Sequence, residues 1–358
     1  MNKTESVDLQ ERISISRRIS QVKHGVAESV TDEFFLRHPD WLARYGEAGR
    51  LRGIEDAKYH IDFLSSAIES GSTAPFEDYA RWSSRMLASR GIDPEFVSEN
   101  FHQIGESLNR MLSDDSAEII SHFIQVGRAA CTDKRENAQE NKSGDLAQTQ
   151  GLFLESILKG RRQAAVTIAL EALKSGHGMI DVYTEIFQES QYQLGRLWES
   201  NKITVAEEHM ATAITQFVMA QIYPLIEPAD KVRGRMVLTG VEGEMHQIGA
   251  NMVADVLEVK GWDVRFLGTN MPHQGILKAV EEHRADVVGI SATMLFNLPK
   301  VIQIIDQLRV KFGADDLKII VGGASFRQVP QMYSEIGADG FAPDLKTTIA
   351  FLETSFPV

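Results

Sequence analysis

Hydrophobic residues recur at intervals of three and four positions over the first 130 residues of the chain. Runs such as IEDAKYHIDFLSSAIES and PEFVSENFHQIGESLNRML are amphipathic, and GSTAP and RGIDP interrupt the pattern. This spacing places apolar side chains on one face of a helix. It predicts an all-helical domain at residues 1–130, followed by a polar linker at residues 131–148 with the sequence CTDKRENAQENKSGDLAQ.

Helical spacing returns at residues 149–226. The four segments are TQGLFLESILKG, RRQAAVTIALEALKSG, MIDVYTEIFQESQYQLGRLWESN and TVAEEHMATAITQFVMAQIYPLI, and Gly160 and two short polar turns separate them. Segments of this length joined by short turns predict a four-helix bundle. Thr204 followed by Glu207 predicts a capping box at the start of the last helix.

The hydrophobic pattern changes at residues 234–358. Short runs that are apolar throughout, RMVLTGV, DVRFLG, DVVGISA and KIIVGG, alternate with amphipathic segments. Such runs are typical of buried parallel strands. The predicted fold class is therefore multidomain α plus α/β: an N-terminal all-helical domain, a four-helix bundle and a C-terminal doubly wound, Rossmann-like parallel sheet.

Composition narrows the possible functions. The net charge of −13 disfavours nucleic-acid binding, which requires a basic surface. Cys131 is the single cysteine, so an internal disulfide cannot form. The N-terminus lacks the apolar core of a signal peptide, and the chain has no apolar run of about 18 residues that would span a bilayer. We therefore expect a cytoplasmic protein without membrane contact.

Polar residues and glycines follow three of the predicted strands. In open parallel sheets, ligands bind beyond the carboxyl ends of the strands. A neutral imidazole is a common metal ligand, and its second nitrogen usually donates to a carboxylate. Small residues nearby would leave a slot for a flat, bulky group. The three motifs are Glu244-x-His246-x-x-Gly249, Ser291-x-Thr293 and Gly322-Gly323.

The order E-x-H-x-x-G, S-x-T and G-G resembles the cobalamin-binding domain shared by methionine synthase, corrinoid proteins and methylmalonyl-CoA mutase. The resemblance implies that His246 is the lower ligand of cobalt, that Glu244 orients it, and that Met245, Gln247 and Gly249 contact the cofactor. It also implies that the displaced nucleotide tail lies in the slot formed by Ser291, Thr293, Gly322 and Gly323. The family's commoner form has Asp in place of Glu244, and a Glu still accepts the histidine proton.

A second motif lies in the predicted bundle. Trp198, nine further residues and then Glu208-His209 resemble the W-x9-EH motif of cobalamin-dependent photoreceptors related to the repressor of carotenoid synthesis. The resemblance implies that Trp198 shields the upper corrin face, whereas Glu208 and His209 contact the adenosyl group. Glu199 stands where that repressor has a second cobalt-binding histidine. The structural alternative is that Trp198 anchors the bundle core and Glu208 is a solvated helix residue.

The N-terminal domain does not resemble the DNA-binding module of those photoreceptors, because no basic helix-turn-helix precedes the bundle. It resembles instead the globin-like sensory or docking modules that precede signalling domains. His60 and His102 are candidate ligands of haem or another pigment. A histidine on an amphipathic helix is more often structural, so haem binding is the less favoured interpretation.

Together the motifs favour a cobalamin-binding, light-responsive regulatory protein, a sensor rather than an enzyme, in which light cleaves the cobalt–carbon bond of adenosylcobalamin. Methylcobalamin and hydroxocobalamin are the alternative forms. The expected partner is an unknown regulatory protein or a second copy in a homo-oligomer. The alternative function is a corrinoid shuttle protein of a methyltransferase system, which would share both the bundle and the cobalamin domain. A mutase subunit is disfavoured because no segment is long enough to form the required barrel.

Overall fold

The computed structural model describes residues 7–112, 116–133, 144–225, 229 and 233–356. The N-terminal region is helical, as its hydrophobic spacing predicts. Most of the predicted linker, residues 134–143, lies outside the described residues. Cys131, predicted to open that linker, is instead buried at the end of a helix. The helices are α1 (Leu9–Arg37), α2 (Pro39–Ser70), α3 (Ala74–Ala88), α4 (Glu95–Leu112) and α5 (Ala117–Cys131).

Local chemistry sets the ends of the two long N-terminal helices. The Asp8 side chain accepts a hydrogen bond from the Glu11 backbone N–H and caps α1. Pro39 occupies the first turn of α2, where its missing N–H costs no helical hydrogen bond. Within α2, Gly46 has φ 58° and ψ −157° and kinks the helix. A side chain would be strained in that conformation, which explains the glycine.

The second helical region contains the predicted bundle helices. The capping box at Thr204 and Glu207 is confirmed: Thr204 Oγ1 accepts from the Glu207 N–H, and the Glu207 carboxylate accepts from the Thr204 N–H. The third helix passes through a π-helical stretch between two α-helical ones. The elements are α6 (Ala147–Leu158), α7 (Arg162–Lys174), α8 (Met179–Asp181), the π-helical Val182–Gln188, α9 (Glu189–Glu199), α10 (Val205–Ile222) and a 3₁₀ turn at Tyr223–Leu225.

The described residues of the C-terminal region form a five-stranded sheet whose neighbouring strands are all parallel, in the order β2-β1-β3-β4-β5. This is a doubly wound arrangement whose order reverses between β1 and β3, so the predicted fold class is confirmed. The strand β5 was not predicted from the sequence. The strands are β1 (Arg235–Gly240), β2 (Asp263–Phe266), β3 (Val287–Ser291), β4 (Lys318–Gly322) and β5 (Gly340–Ala342).

Helices alternate with the strands along the chain. They are α11 (Ile248–Val259), α12 (His273–His283), α13 (Leu298–Phe312), α14 (Ala324–Gln328), α15 (Met332–Glu335) and α16 (Leu345–Ser355), and a 3₁₀ turn at Leu295–Asn297 precedes α13. In the part of the chain that the structure describes, no helix is both long and apolar enough to cross a membrane.

Backbone contacts divide the chain into two compact units. The first contains α1 to α5 together with Ala292–Asp306 and Ala324–Gly337, two segments from the α/β region. The second contains the bundle, the sheet and the remaining α/β helices. Within the second unit, bundle side chains such as Phe153, Phe187 and Ile222 belong to one buried cluster with Met236 and Leu257 of the α/β region. The bundle and the sheet therefore share a hydrophobic core.

Two tyrosines of the bundle region also bind the helix that follows β1. The buried Tyr183, in the π-helical stretch, donates a hydrogen bond from its hydroxyl to Asp255 Oδ2 at 2.7 Å. The Tyr223 hydroxyl donates to the carboxylate of Glu258 on the next turn of α11. The pKa of Asp255 is raised to about 6, chiefly because its carboxyl group is partly removed from water. These contacts attach the bundle to the C-terminal half of α11.

Candidate functional site

Three neighbouring strands end at the same level of the sheet. In the β1–β3 pair Gly240 lies opposite Ser291, and in the β3–β4 pair Ser291 lies opposite Gly322. The carboxyl ends of β1, β3 and β4 therefore share one edge, and the switch point of the sheet lies between β1 and β3. Ligands of open α/β sheets bind at this position.

The loop between β1 and α11 carries a histidine held by a buried carboxylate. The Glu244 side chain has no exposed surface, whereas the His246 side chain is 56% exposed. Glu244 Oε1 accepts one hydrogen bond from the His246 backbone N–H at 2.9 Å and another from His246 Nδ1 at 2.6 Å. An ionised carboxylate only accepts hydrogen bonds, so an ionised Glu244 would hold a proton on Nδ1 and leave the lone pair of Nε2 to a ligand.

The backbone of this loop is itself anchored. The Gly243 N–H donates to Asn270 Oδ1 at 2.8 Å, and the Glu244 N–H donates to the Val241 carbonyl at 3.0 Å. Val241 also pairs with Met271 in an isolated parallel bridge. These bonds fix Glu244 from the backbone side, so the carboxylate can fix the orientation of the imidazole.

The remaining predicted residues of the loop lie around the histidine. Met245 is exposed, and Gln247 is half-buried. Gly249, in the first turn of α11, is exposed, and a methyl group added there would meet no atom within 4 Å. Packing within the chain therefore does not require glycine at this position. Its bare backbone leaves open space at the start of α11, next to the imidazole loop.

The residues of the predicted slot are small, and two of them have structural reasons for being small. Ser291 and Thr293 are half-buried. A Cβ atom on Gly322 would lie 2.9 Å from the Ala342 carbonyl oxygen, and Gly323 has φ 97°. Both glycines are therefore required by the backbone as well as being suited to a slot. They are not by themselves a sign of ligand binding.

Sequence reasoning missed one residue in this region. Ser325, two residues after Gly323, is fully buried, and among the described residues its hydroxyl has no hydrogen-bond partner. A buried polar group without a partner is unusual and calls for a physical explanation. A ligand that brings an acceptor to this position would satisfy it. No spacing rule identifies such a residue, because its burial depends on the fold.

The three predicted residues of the bundle lie on two helices. Trp198 is half-buried near the end of α9. Glu208, in the first turn of α10, contacts His209 Nδ1 at 2.5 Å and accepts from Thr212 Oγ1 at 2.9 Å. The His209 side chain is 76% exposed. Glu208 and His209 are thus brought together, and Glu208 is bound by its own helix.

The candidate haem ligands are structural residues or surface residues. His60 is buried, its Nδ1 lies 2.7 Å from the Tyr79 hydroxyl, and its ring packs edge-on against Phe101. Burial lowers the pKa of His60 to about 4. His102 is exposed on α4. The contacts of His60 are those of a core histidine.

The donor set of the site indicates what kind of metal it would suit. Within the described ranges, no group of three or more His, Cys, Asp or Glu side chains is arranged to hold a metal ion. A free transition-metal ion needs several protein ligands. One exposed imidazole with a carboxylate behind it suits a metal that already carries its other ligands in a macrocycle. The residues therefore fit a corrinoid.

Comparisons with known proteins point to the same cofactor. Two family models match the chain, both described as a B12 binding domain, at residues 151–223 and 234–350. A corrinoid protein of Desulfitobacterium hafniense (strain Y51) is 26% identical over 192 residues, which are 52% of this chain and 88% of that protein. Dimethylamine corrinoid protein 3 of Methanosarcina acetivorans is 31% identical over 159 residues, 44% of this chain and 74% of that protein.

A solved structure supports the fold. The monomethylamine corrinoid protein of Methanosarcina barkeri matches with a TM-score of 0.52 and 21% identity, over 58% of this chain and 99% of that chain. Both B12-binding matches begin after the N-terminal helices. These comparisons therefore concern the bundle and the sheet.

The comparisons overturn two predictions made from the sequence. Both relatives are corrinoid proteins, one of them named for dimethylamine, and neither is named as a photoreceptor, so the prediction of a light-responsive regulator is wrong. The predicted partner, an unknown regulatory protein or a second copy, is contradicted by the same relatives. The W-x9-EH resemblance was misleading because it depends on three residues of a bundle that corrinoid proteins share. Because this chain is 31% identical to dimethylamine corrinoid protein 3, covers 74% of it and matches two B12 binding domain models, it belongs to the family of B12-binding corrinoid proteins.

Proposed function

We propose that the protein is a corrinoid shuttle of a methyltransferase system, which accepts a methyl group from one methyltransferase and presents it to another. The Glu244–His246 pair carries this proposal, because it offers one oriented nitrogen ligand at the switch point of the sheet. The names of relatives such as dimethylamine corrinoid protein 3 support a methylated amine as the original donor. The proposed partners are therefore two methyltransferases.

His246 would hold the corrinoid from below through Nε2. Glu244 keeps the proton on Nδ1, fixes the tautomer and makes the imidazole a better donor. When bound, cobalamin supplies a cobalt centre that takes up and releases the methyl group. We propose methylcobalamin as the loaded form and a form without the methyl group as its product. This cycle needs no adenosyl group, whereas the rejected photoreceptor function required one.

The strand ends next to His246 would receive the nucleotide tail. Ser291 and Gly322 end neighbouring strands, and Thr293 and Gly323 follow them in the chain. The hydroxyl of Ser325, which has no hydrogen-bond partner among the described residues, would supply a hydrogen bond to the tail. The small side chains would leave room for the tail, and the Ser325 hydroxyl would donate a hydrogen bond to it.

The bundle would face the upper side of the corrinoid. Trp198 is half-buried, and His209, the fifth residue of α10, is largely exposed. A shuttle must let each methyltransferase reach the methyl group, so exposed groups here are compatible with the function. We propose that Trp198, Glu208 and His209 border this side without binding cobalt.

Lower ligation by His246 can be tested by spectroscopy. The protein is loaded with hydroxocobalamin and its visible spectrum is recorded; the cobalt is then reduced chemically to paramagnetic Co(II) for paramagnetic-resonance spectra, and the parent and His246→Ala are compared in both states. We expect the substitution to remove the nitrogen-ligand signature. His24→Ala is the matched control, because His24 is 68% exposed and also faces a carboxylate, that of Glu28 at 3.5 Å. Identical spectra for the parent and His246→Ala would reject the assignment.

The shuttle function is tested by methyl transfer. The protein, carrying reduced cobalamin, is mixed with a methylamine and its methyltransferase, and methylcobalamin formation is followed by its absorption. We expect stoichiometric methylation in the dark, and retention of the methyl group until a second methyltransferase is added. Failure to accept a methyl group from any methylamine donor system would contradict the proposed function even if His246 binds cobalt.

A further inference from the structure

The N-terminal helical domain packs on two segments of the α/β region, both of which belong to the same compact unit. These segments, Ala292–Asp306 and Ala324–Gly337, are called the post-β3 and post-β4 segments below. Each follows directly on a strand end of the proposed site: Ala292 follows Ser291, and Ala324 follows Gly323. The post-β3 segment carries Thr293, and the post-β4 segment carries Ser325.

The post-β3 segment is held by an aromatic contact with α2. The Phe296 ring meets Phe63 edge-on, with ring centroids 5.5 Å apart and an interplanar angle of 89°. It also lies 6.0 Å from the Tyr59 ring. Edge-to-face pairs at such distances are a favoured aromatic geometry. Phe296 is three residues from Thr293, so this contact holds the turn that carries the proposed slot hydroxyl.

The helical side of this contact is an ordered surface. Phe63 stacks on Tyr79 with ring centroids 3.7 Å apart and an interplanar angle of 9°. Tyr79 is buried, and its hydroxyl is hydrogen bonded to His60. Phe296 therefore packs against a ring whose position is set by the core of the helical domain.

The post-β4 segment is held by two further helices. Gln328 Nε2 of α14 donates to Asp78 Oδ2 of α3 at 3.4 Å. Arg12 of α1, which is buried, forms an ion pair with Glu335 of α15. The two segments are also joined to each other, because the Ser325 N–H donates to the Ala292 carbonyl at 3.3 Å. Helices α1, α2 and α3 thus each contact one of the segments that continue from the slot.

We propose that the N-terminal helical domain is a binding determinant for the nucleotide tail of the corrinoid. By holding the post-β3 and post-β4 segments, it fixes the positions of Thr293 and Ser325 before the cofactor arrives. Preorganised groups bind more tightly, because the ordering cost is met during folding. The inference rests on the proposed function for the location of the tail. It goes beyond the family matches, which begin at residue 151.

The test compares two corrinoids that differ only in the tail: hydroxocobalamin and the corresponding cobinamide, which lacks the nucleotide. Affinities are measured by absorbance titration of the full chain. We expect Phe63→Ala to weaken cobalamin binding by about fivefold, as the loss of one aromatic pair implies, and to leave cobinamide binding within about twofold. Phe34→Ala is the matched control, since Phe34 lies in a separate aromatic cluster of the same domain with Trp41 and Phe96.

A second variant keeps the test decisive if Phe63→Ala unfolds the domain. Tyr59 is 51% exposed and touches Phe296, so Tyr59→Ala should fold and should lower the cobalamin-to-cobinamide affinity ratio in the same direction. An unchanged ratio in both variants, or an equal loss for both corrinoids, would overturn the inference. If the parent itself bound the two corrinoids equally, the tail slot of the proposed function would fail. Lower ligation by His246 is judged separately from its spectrum.

Discussion

Removing the unpaired hydroxyl of Ser325 should stabilise the folded protein and should weaken its binding of cobalamin. Ser325 is fully buried, and within the described chain its Oγ finds no partner. Leaving a buried hydroxyl unsatisfied costs about 1–3 kcal/mol relative to its hydration in the unfolded chain. Ser325→Ala removes this cost and retains the Cβ atom. We expect the corrinoid-free protein to become more stable by about 1 kcal/mol.

The same substitution should weaken cofactor binding. If the hydroxyl donates to the nucleotide tail, Ser325→Ala removes a hydrogen bond with a net value of about 0.5–1.5 kcal/mol. That range corresponds to a loss of cobalamin affinity of about two- to thirteenfold. Cobinamide, which lacks the tail, should bind the parent and the variant equally.

Urea denaturation of the corrinoid-free protein measures the stability, and absorbance titration measures both affinities. Ser334→Ala is the control, because Ser334 is exposed and its hydroxyl already donates to the Gln331 carbonyl at 3.0 Å. It should change neither quantity appreciably. A destabilised Ser325→Ala would show that the hydroxyl has a partner in the free protein. A stabilised variant with unchanged cobalamin affinity would remove Ser325 from the binding site.

Three further predictions concern carboxylates that are buried, as Glu244 and Glu69 are, or half-buried, as Asp255 is. Glu244→Gln should weaken cobalamin binding by about tenfold, measured by titration, because a neutral amide supports the ligand imidazole less well than a carboxylate; unchanged affinity would contradict the orienting role. Tyr183→Phe should lower the unfolding free energy by about 1–2 kcal/mol at pH 7, since the Tyr183 hydroxyl donates to Asp255. Because the folded-state pKa of Asp255 is raised to about 6, native Asp255 holds more protons than unfolded Asp255 between about pH 4 and 6. The loss in Tyr183→Phe should therefore shrink in urea titrations at pH 4, where the carboxyl is protonated; an equal loss at both pH values would refute this coupling. Burial raises the pKa of Glu69 to about 7 despite the hydrogen bond from Ser16. Glu69 therefore makes the parent less stable as the pH rises from about 4.5 to 7, and Glu69→Gln should be more stable than the parent by roughly 1–2 kcal/mol at pH 8 in the same assay; a less stable variant would contradict the prediction.

The sequence predicts the α/β fold well because buried parallel strands leave a local pattern. The runs ending at Gly240, Ser291 and Gly322 are apolar throughout and rich in Val and Ile. Strand β5 leaves no such pattern, because it contains only Gly340–Ala342. Its place in the sheet depends on pairing with β4 rather than on its own composition. Cys131 was misplaced for a related reason, since the polar residues after it hide the end of α5.

The candidate site is predictable where its contacts are local. Glu244 and His246 are two residues apart, so their hydrogen bond depends on the geometry of a single loop. The orphaned Ser325 and the contact between Phe63 and Phe296 depend on burial and on residues more than 200 positions apart, and no sequence pattern records them. The W-x9-EH motif is local in the sequence, yet its resemblance to photoreceptors led to the wrong function. Glu208 binds Thr212 one turn further along α10, a contact that this helix provides whatever its function.

The bundle is attached to α11 away from the loop that carries His246. Asp255 and Glu258, which bind Tyr183 and Tyr223, lie seven and ten residues beyond the start of α11 at Ile248. At a rise of about 1.5 Å per residue, they are about 10 and 15 Å from the helix end that follows His246. Loss of the Tyr183 hydroxyl should therefore reduce stability without changing the spectrum that reports His246 ligation. In the proposed shuttle, this separation would keep the groups that join the bundle to α11 apart from the surface that the methyltransferases approach.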